Sequence, residues 1–179
     1  MKIEEEPALE IYHSPYEAYP FLCDPAEDLR CDFELLTDEL ASATGLLRAQ
    51  VEDSALRDEL LWVCELIYHL NPALRTSLSV TEEETAHLAA AARRLEARCG
   101  VCSFVLPQGC PAACTAHLLR VRAKCLVRLV YRHAEQGNAV PERLLDLCNL
   151  LSGYYFALSL ALNALSGMAE VPFVSRSYR

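Results

Sequence analysis

The stretch Pro111–Gln136, PAACTAHLLRVRAKCLVRLVYRHAEQ, decides how the chain is read. Leu119, Ala123, Leu126 and Val130 recur at steps of four, three and four, which places them on one face of an α-helix. Pro111 suits the first helical turn, where its missing N–H costs nothing, and Gly137-Asn138 supplies the stop. At about 100° per residue, His117, Arg120, Lys124 and Arg128 fall on a second stripe, roughly opposite the first. Leu118, Val121, Val127 and Leu129 flank that stripe with apolar surface. A solvated basic face and an anion site or intersubunit ion-pair seam are equally good readings of this pattern.

Helical periods continue on both sides of this segment. Phe33, Leu36, Leu40, Ala43 and Leu47 mark a first helix from Cys31, and Leu56, Leu60, Val63 and Ile67 a second from about Ser54 to His69, closed by Asn71-Pro72. Thr81-x-x-Glu84 is a capping box that opens a third helix through Leu88 and Leu95, ending near Cys99-Gly100. Val101–Cys110 is an irregular connector. Pro141 opens a fifth helix, apolar nearly all round and therefore central, which reaches Ser166-Gly167. Five helices with short connections and no strand pattern predict an all-α, five-helix antiparallel bundle over residues 31–167. Residues 1–30, broken by Pro7, Pro15, Pro20 and Pro25, read as an extended arm or loop, and 168–179 as a C-terminal tail, loose from Val171.

Composition removes several functions. The 179 residues include only 6 glycines, none before Gly45 and no two placed for a P-loop or dinucleotide loop. With 16 basic against 25 acidic residues, the net charge of −9 argues against nucleic-acid binding. The start MKIEEEPALE lacks the basic and apolar regions of a signal peptide, so a cytoplasmic location is expected. The uncharged run from Leu147 to Ala169 is long enough to span a bilayer, yet Asn149, Ser152, Ser159 and Asn163 dilute it, so a buried bundle helix and no membrane association are expected. Trp62 reads as core, and His69, His87 and His133 as surface or helix-end residues. Of the 9 cysteines, Cys23, Cys31, Cys64, Cys125 and Cys148 read as small core residues. Cys99, Cys102, Cys110 and Cys114 crowd four sulfurs together, and packing outweighs a thiol-metal site there because the intervening segment is short and apolar.

Phe104-Val-Leu-Pro-Gln-Gly-Cys-Pro-Ala-Ala followed by His117-Leu-Leu-Arg120 resembles the Phe-Val-Leu-Pro-Gly-Gly-x-Pro-Ala-Ala … His-x-x-Arg signature of PduO-type ATP:cob(I)alamin adenosyltransferases, with wording near their ethanolamine-utilisation (EutT-like) branch. Thr37-Asp38-Glu39-Leu40-Ala-Ser-Ala-Thr-Gly45-Leu resembles the family's first-helix motif, and Leu147-Cys-Asn149-Leu-Leu-Ser152 its last-helix block. The ordered set spans about residues 31–165. The resemblance implies a trimer with ATP and corrinoid bound between subunits, Mg2+ as a further cofactor, and electrons from a corrinoid reductase. Cob(I)alamin would attack the 5′ carbon of ATP and release triphosphate. By position, Phe104 would press on the lower corrin face and Asp38 would pair with Arg120 across the subunit boundary. Lys124 stands where the family has a triphosphate-binding arginine, Asn149 would contact the nucleotide, and His117 and Arg128 complete the binding face.

The chain departs from the pattern in its arm. Ile11–Ala18 replaces a Thr-Arg-x-Gly-Asp-x-Gly nucleotide loop with neither its arginine nor its glycines, and the family's Gly-Gly becomes Gln108-Gly109. Two other readings are therefore set beside the enzyme: a corrinoid carrier or sensor that has lost ATP chemistry, and a thiol-metal protein.

Overall fold

A computed structural model describes residues 11–99 and 104–177. Five helices form: α1 (Leu29–Gln50), α2 (Ser54–Leu70), α3 (Glu82–Cys99), α4 (Pro111–Glu135) and α5 (Glu142–Leu165), with a short 3-10 turn at Asn71–Leu74. Local chemistry accounts for the boundaries. Asp28 and Asp53 cap α1 and α2 by accepting from the Arg30 and Leu56 amides. The Thr81–Glu84 box closes reciprocally, Thr81 N–H donating to Glu84 Oε2 and Glu84 N–H to Thr81 Oγ1. Cys110 is the N-cap of α4, its sulfur accepting from Ala113 N–H, with Pro111 at the next position. Beyond α4, Gly137 adopts φ +88°, a conformation that favours glycine.

α1 packs on α2 and α4, and α5 packs on α3 and α4. The stripe read from α4, Leu119, Ala123, Leu126 and Val130, is buried in full. α5 is central as expected. Its Tyr155 hydroxyl shares a 2.6 Å hydrogen bond with Thr44 of α1, and its Tyr154 hydroxyl donates to Glu59 of α2. The helix is long and apolar enough to cross a membrane, but 67% of its apolar window is buried inside the bundle, which explains its composition. The charged pair Arg94–Glu59 ties α3 to α2 above it.

Several expectations are corrected. The part of the arm that is described takes the loop alternative, a succession of turns closed by the Glu17, Leu22, Asp24 and Asp28 amides. It is pinned to the bundle by Arg75, which donates to Glu34 (2.6 and 2.9 Å) and Asp24 (2.8 Å) while lying 3.5 Å from the Phe21 ring centre. The tail is not loose either: Leu106 N–H donates to Val171 O and Phe173 N–H to Phe104 O, so the tail pairs with the connector. Cys23 and Cys125 are exposed, whereas Cys31 and Cys148 are buried as read and burial pushes the Cys148 thiol up to about 12. His133 lies at a helix end as read, in the last turn of α4, but is buried there, its backbone carbonyl accepting from Asn138. Trp62 is only half-buried, edge-on to His87.

Candidate functional site

The second stripe of α4 runs from the interior outward. His117 is 4% exposed, Arg120 half-buried, and Lys124 and Arg128 exposed. The burial of His117 comes from α5, whose Phe156 ring lies 6.3 Å from the imidazole and 5.5 Å from the Arg120 guanidinium carbon. Burial, and secondarily the Arg120 charge, lower the His117 pKa, so the ring is neutral near pH 7. Both of its nitrogens and the Arg120 Nε are buried without a hydrogen-bond partner. Among the described residues no ion pair involves Arg120, Lys124 or Arg128, whereas Arg122, off the stripe, pairs with Glu39 at 3.0 Å. A protein of net charge −9 thus carries on one helix face three cations that form no ion pair with a carboxylate among the described residues. Unsatisfied buried donors beside such cations suit a multiply charged anion.

Phe104 sits at the mouth of the connector and is 81% exposed, which excludes an ordinary core role. Its carbonyl is fixed by the tail, and Leu106, Phe173 and Val174 lie exposed on the same two segments. Beneath the connector, fully buried Asn163 of α5 accepts from Cys110 N–H (3.0 Å) and donates to Gln108 O and Glu170 Oε1 (both 2.9 Å). Gly109 has φ +128°, and a Cβ there would lie 1.9 Å from Asn163 Oδ1. The connector can follow this path only because a glycine faces Asn163.

The remaining candidates are not gathered into this face. Asp38 is exposed on α1 and accepts from the Tyr68 hydroxyl at 2.8 Å, with no ion pair to Arg120 within the chain. Asn149 donates to Leu145 O of its own helix and lines a groove between α3 and α5 with Arg93, Glu96 and Asp146. Cys110 and Cys114 are half-buried thiols near Leu162 O and Gly109 O. The thiol-metal expectation cannot be carried further, because Cys102 and the Cys99 side chain lie outside the described residues. Sequence reading missed Phe156, Tyr68 and Asn163 as supporting residues. Only Asn163 left a trace, as one of the polar residues that dilute the apolar run of α5.

A sequence model of the family described as cobalamin adenosyltransferase matches residues 27–162, which takes in α1 to α4, most of α5 and the cationic face. The chain belongs to the cobalamin adenosyltransferase family. It is accordingly a transferase. The fold agrees with solved structures. A phenylalanine-to-alanine variant of the PduO-type ATP:corrinoid adenosyltransferase from Lactobacillus reuteri, complexed with cobalamin and ATP, superposes with a TM-score of 0.74 at 21% identity, covering 83% of this chain and 87% of that one. An arginine-to-lysine variant from the same organism, complexed with ATP, gives 0.73 at 23% identity over 82% and 88%. No curated protein sequence is significantly similar to the chain.

Proposed function

We propose that this adenosyltransferase moves the 5′-deoxyadenosyl group of ATP to a reduced corrinoid, using the α4 cations for the triphosphate and Phe104 for the corrin. Cob(I)alamin supplies an electron pair that forms the cobalt–carbon bond, and the 5′ carbon–oxygen bond of ATP breaks, its electrons leaving on triphosphate. That leaving group gathers negative charge in the transition state. The observation that carries the reading is the row Arg120, Lys124, Arg128, which among the described residues forms no ion pair and is anchored at its inner end by a half-buried guanidinium whose Nε has no hydrogen-bond partner there. His117, neutral, adds hydrogen-bonding capacity to that end without adding charge.

In the solved relatives, the altered phenylalanine and arginine stand twenty positions apart, as Phe104 and Lys124 do here. The relative with lysine in place of that arginine was solved with ATP, which supports a lysine at Lys124 as compatible with nucleotide binding. Lysine acts there as a point charge without the bidentate fork of arginine. Mg2+ would arrive on the triphosphate, since the cationic α4 face offers it no ligand. Exposed Phe104, held by the tail, suits an apolar wall that keeps donors away from the lower side of cobalt.

The exposed Leu46, Leu118 and Val121 share a groove between α1 and α4, on the side that carries Glu39 and Arg122. That apolar strip supports a homotrimer in which Asp38 of one copy meets Arg120 of the next, with Asn149 brought to the nucleotide by assembly rather than within a chain. A cytoplasmic location and a separate corrinoid reductase complete the reading. The test is to supply cob(I)alamin and ATP anaerobically and follow loss of the cob(I) spectrum. Adenosylcobalamin should form, Arg120→Ala should abolish it, and Lys124→Arg should equal or exceed the parent. Corrinoid bound without turnover would instead support a carrier.

A further inference from the structure

The arm carries a group of side chains that the transferase reading does not use. His13, Glu17 and Cys23 each present one donor atom, and these three atoms lie within 4.8 Å of one another, all exposed. The turns place them. Glu17 N–H donates to Ser14 O, folding residues 14–17 so that His13 and Glu17 flank one bend, and Asp24 N–H donates to Phe21 O, turning Cys23 back toward them. The segment between is fixed to the bundle where Phe21 stacks on Arg75.

The three groups converge without bonding one another. Among the described residues neither the His13 ring nor the Glu17 carboxylate takes part in a side-chain hydrogen bond or ion pair, and the Cys23 thiol makes only a 3.9 Å contact with Pro20 O. An imidazole, a carboxylate and a thiol that approach this closely yet leave a gap between them have the arrangement of ligands around a cation. Zinc bonds of about 2.0–2.3 Å in a tetrahedron place ligand atoms about 3.3–3.8 Å apart, which small rotations of exposed side chains reach from here. A mixed nitrogen, oxygen and sulfur set selects a borderline-soft ion and disfavours Mg2+ and Ca2+.

We infer that His13, Glu17 and Cys23 form a zinc site that clips the two turns of the arm together, with a fourth position open to water. The site is independent of the adenosyl-transfer reading and distinct from the cysteines at 99–114. Binding requires the thiol to ionise, so one proton leaves Cys23 as zinc arrives.

The test uses the untagged full chain, freed of metal and titrated with Zn2+ alone against a chromophoric chelator, with Co2+ as a spectroscopic substitute. One equivalent should bind, and the Co2+ form should show a thiolate charge-transfer band. His13→Ala and Cys23→Ser should each weaken binding at least tenfold and remove that band's intensity, while Cys99→Ser and Cys110→Ser leave both unchanged. Zinc should also slow proteolysis within residues 11–24 in the parent but not in Cys23→Ser. His13→Ala and Cys23→Ser should keep the parent's helical circular dichroism, since both residues are exposed on the arm. Absence of binding, or binding that survives His13→Ala and Cys23→Ser, overturns the inference. Loss with Cys99→Ser or Cys110→Ser instead moves the metal to the other cysteines.

Discussion

The contact between Gly109 and Asn163 can be tested by a double-mutant cycle. Asn163→Ala removes three hydrogen bonds from a fully buried side chain, to Cys110, Gln108 and Glu170. At about 1 kcal/mol each, the loss is about 3 kcal/mol. It lies at the upper side of that figure because Glu170 Oε2 is already buried without a partner. Gly109→Ala places a methyl group 1.9 Å from Asn163 Oδ1, so the asparagine must leave and the same bonds go. The φ of +128° adds strain of about 1–3 kcal/mol, for a total of about 4–6 kcal/mol. In the double variant the methyl meets no amide, and only the φ strain is added to the asparagine loss. Its cost is again about 4–6 kcal/mol, whereas independent sites would give about 7–9 kcal/mol. Urea unfolding followed by circular dichroism measures all three. Since the connector presents Phe104, corrinoid binding should weaken in parallel. Additivity within about 0.5 kcal/mol, or an Asn163→Ala cost below about 1 kcal/mol, would refute the coupling of Gly109 to Asn163.

Two further outcomes follow from buried titratable groups. Arg75→Met strands Glu34, 4% exposed, without its guanidinium and should cost about 3–5 kcal/mol, much of it recovered in Arg75→Met/Glu34→Leu; urea midpoints decide, and equal losses in the two variants contradict the account. The folded-state pKa of His117 lies below its ordinary value of 6.5, so the unfolded chain binds more protons between the two values. Its stability contribution is present above pH 6.5 and is lost as pH falls toward the folded pKa. His133 is lowered in the same direction. His117→Leu should therefore hold its stability at pH 7 and fall less steeply than the parent from pH 6.5 to 5 in thermal melts, and an unchanged slope would count against the assignment.

The helical architecture was legible because each helix announces its buried face within its own sequence. Leu119, Ala123, Leu126 and Val130 need no knowledge of α5 to be assigned inward, and the Thr81–Glu84 box closes within one turn. Periodicity failed where burial depends on a partner. His117 belongs by angle to the outward stripe of α4, yet Phe156 covers it, and nothing in α4 specifies what α5 places there. The arm and tail fail for a related reason. Their order rests on single long-range contacts, Arg75 with Asp24 and Glu34, and Phe173 with Phe104, which leave no repeat in the sequence.

That division bears on the chemistry. Arg120, Lys124 and Arg128 could be named from spacing because a helix fixes the relative positions of residues four apart. Their surroundings could not, since a desolvated guanidinium requires an apolar wall from another helix, and Phe156 supplies it. A cation at the outer end of the row remains hydrated and screened, whereas Arg120 is partly withdrawn from water before any anion arrives. The row is therefore graded. On the proposed function, Arg128 and Lys124 would draw the triphosphate by long-range attraction that salt weakens, and Arg120 would contribute the short-range interaction that persists as charge develops on the leaving group. On that proposal it is the depth gradient, rather than the number of cations, that would suit this basic helix face to a leaving triphosphate.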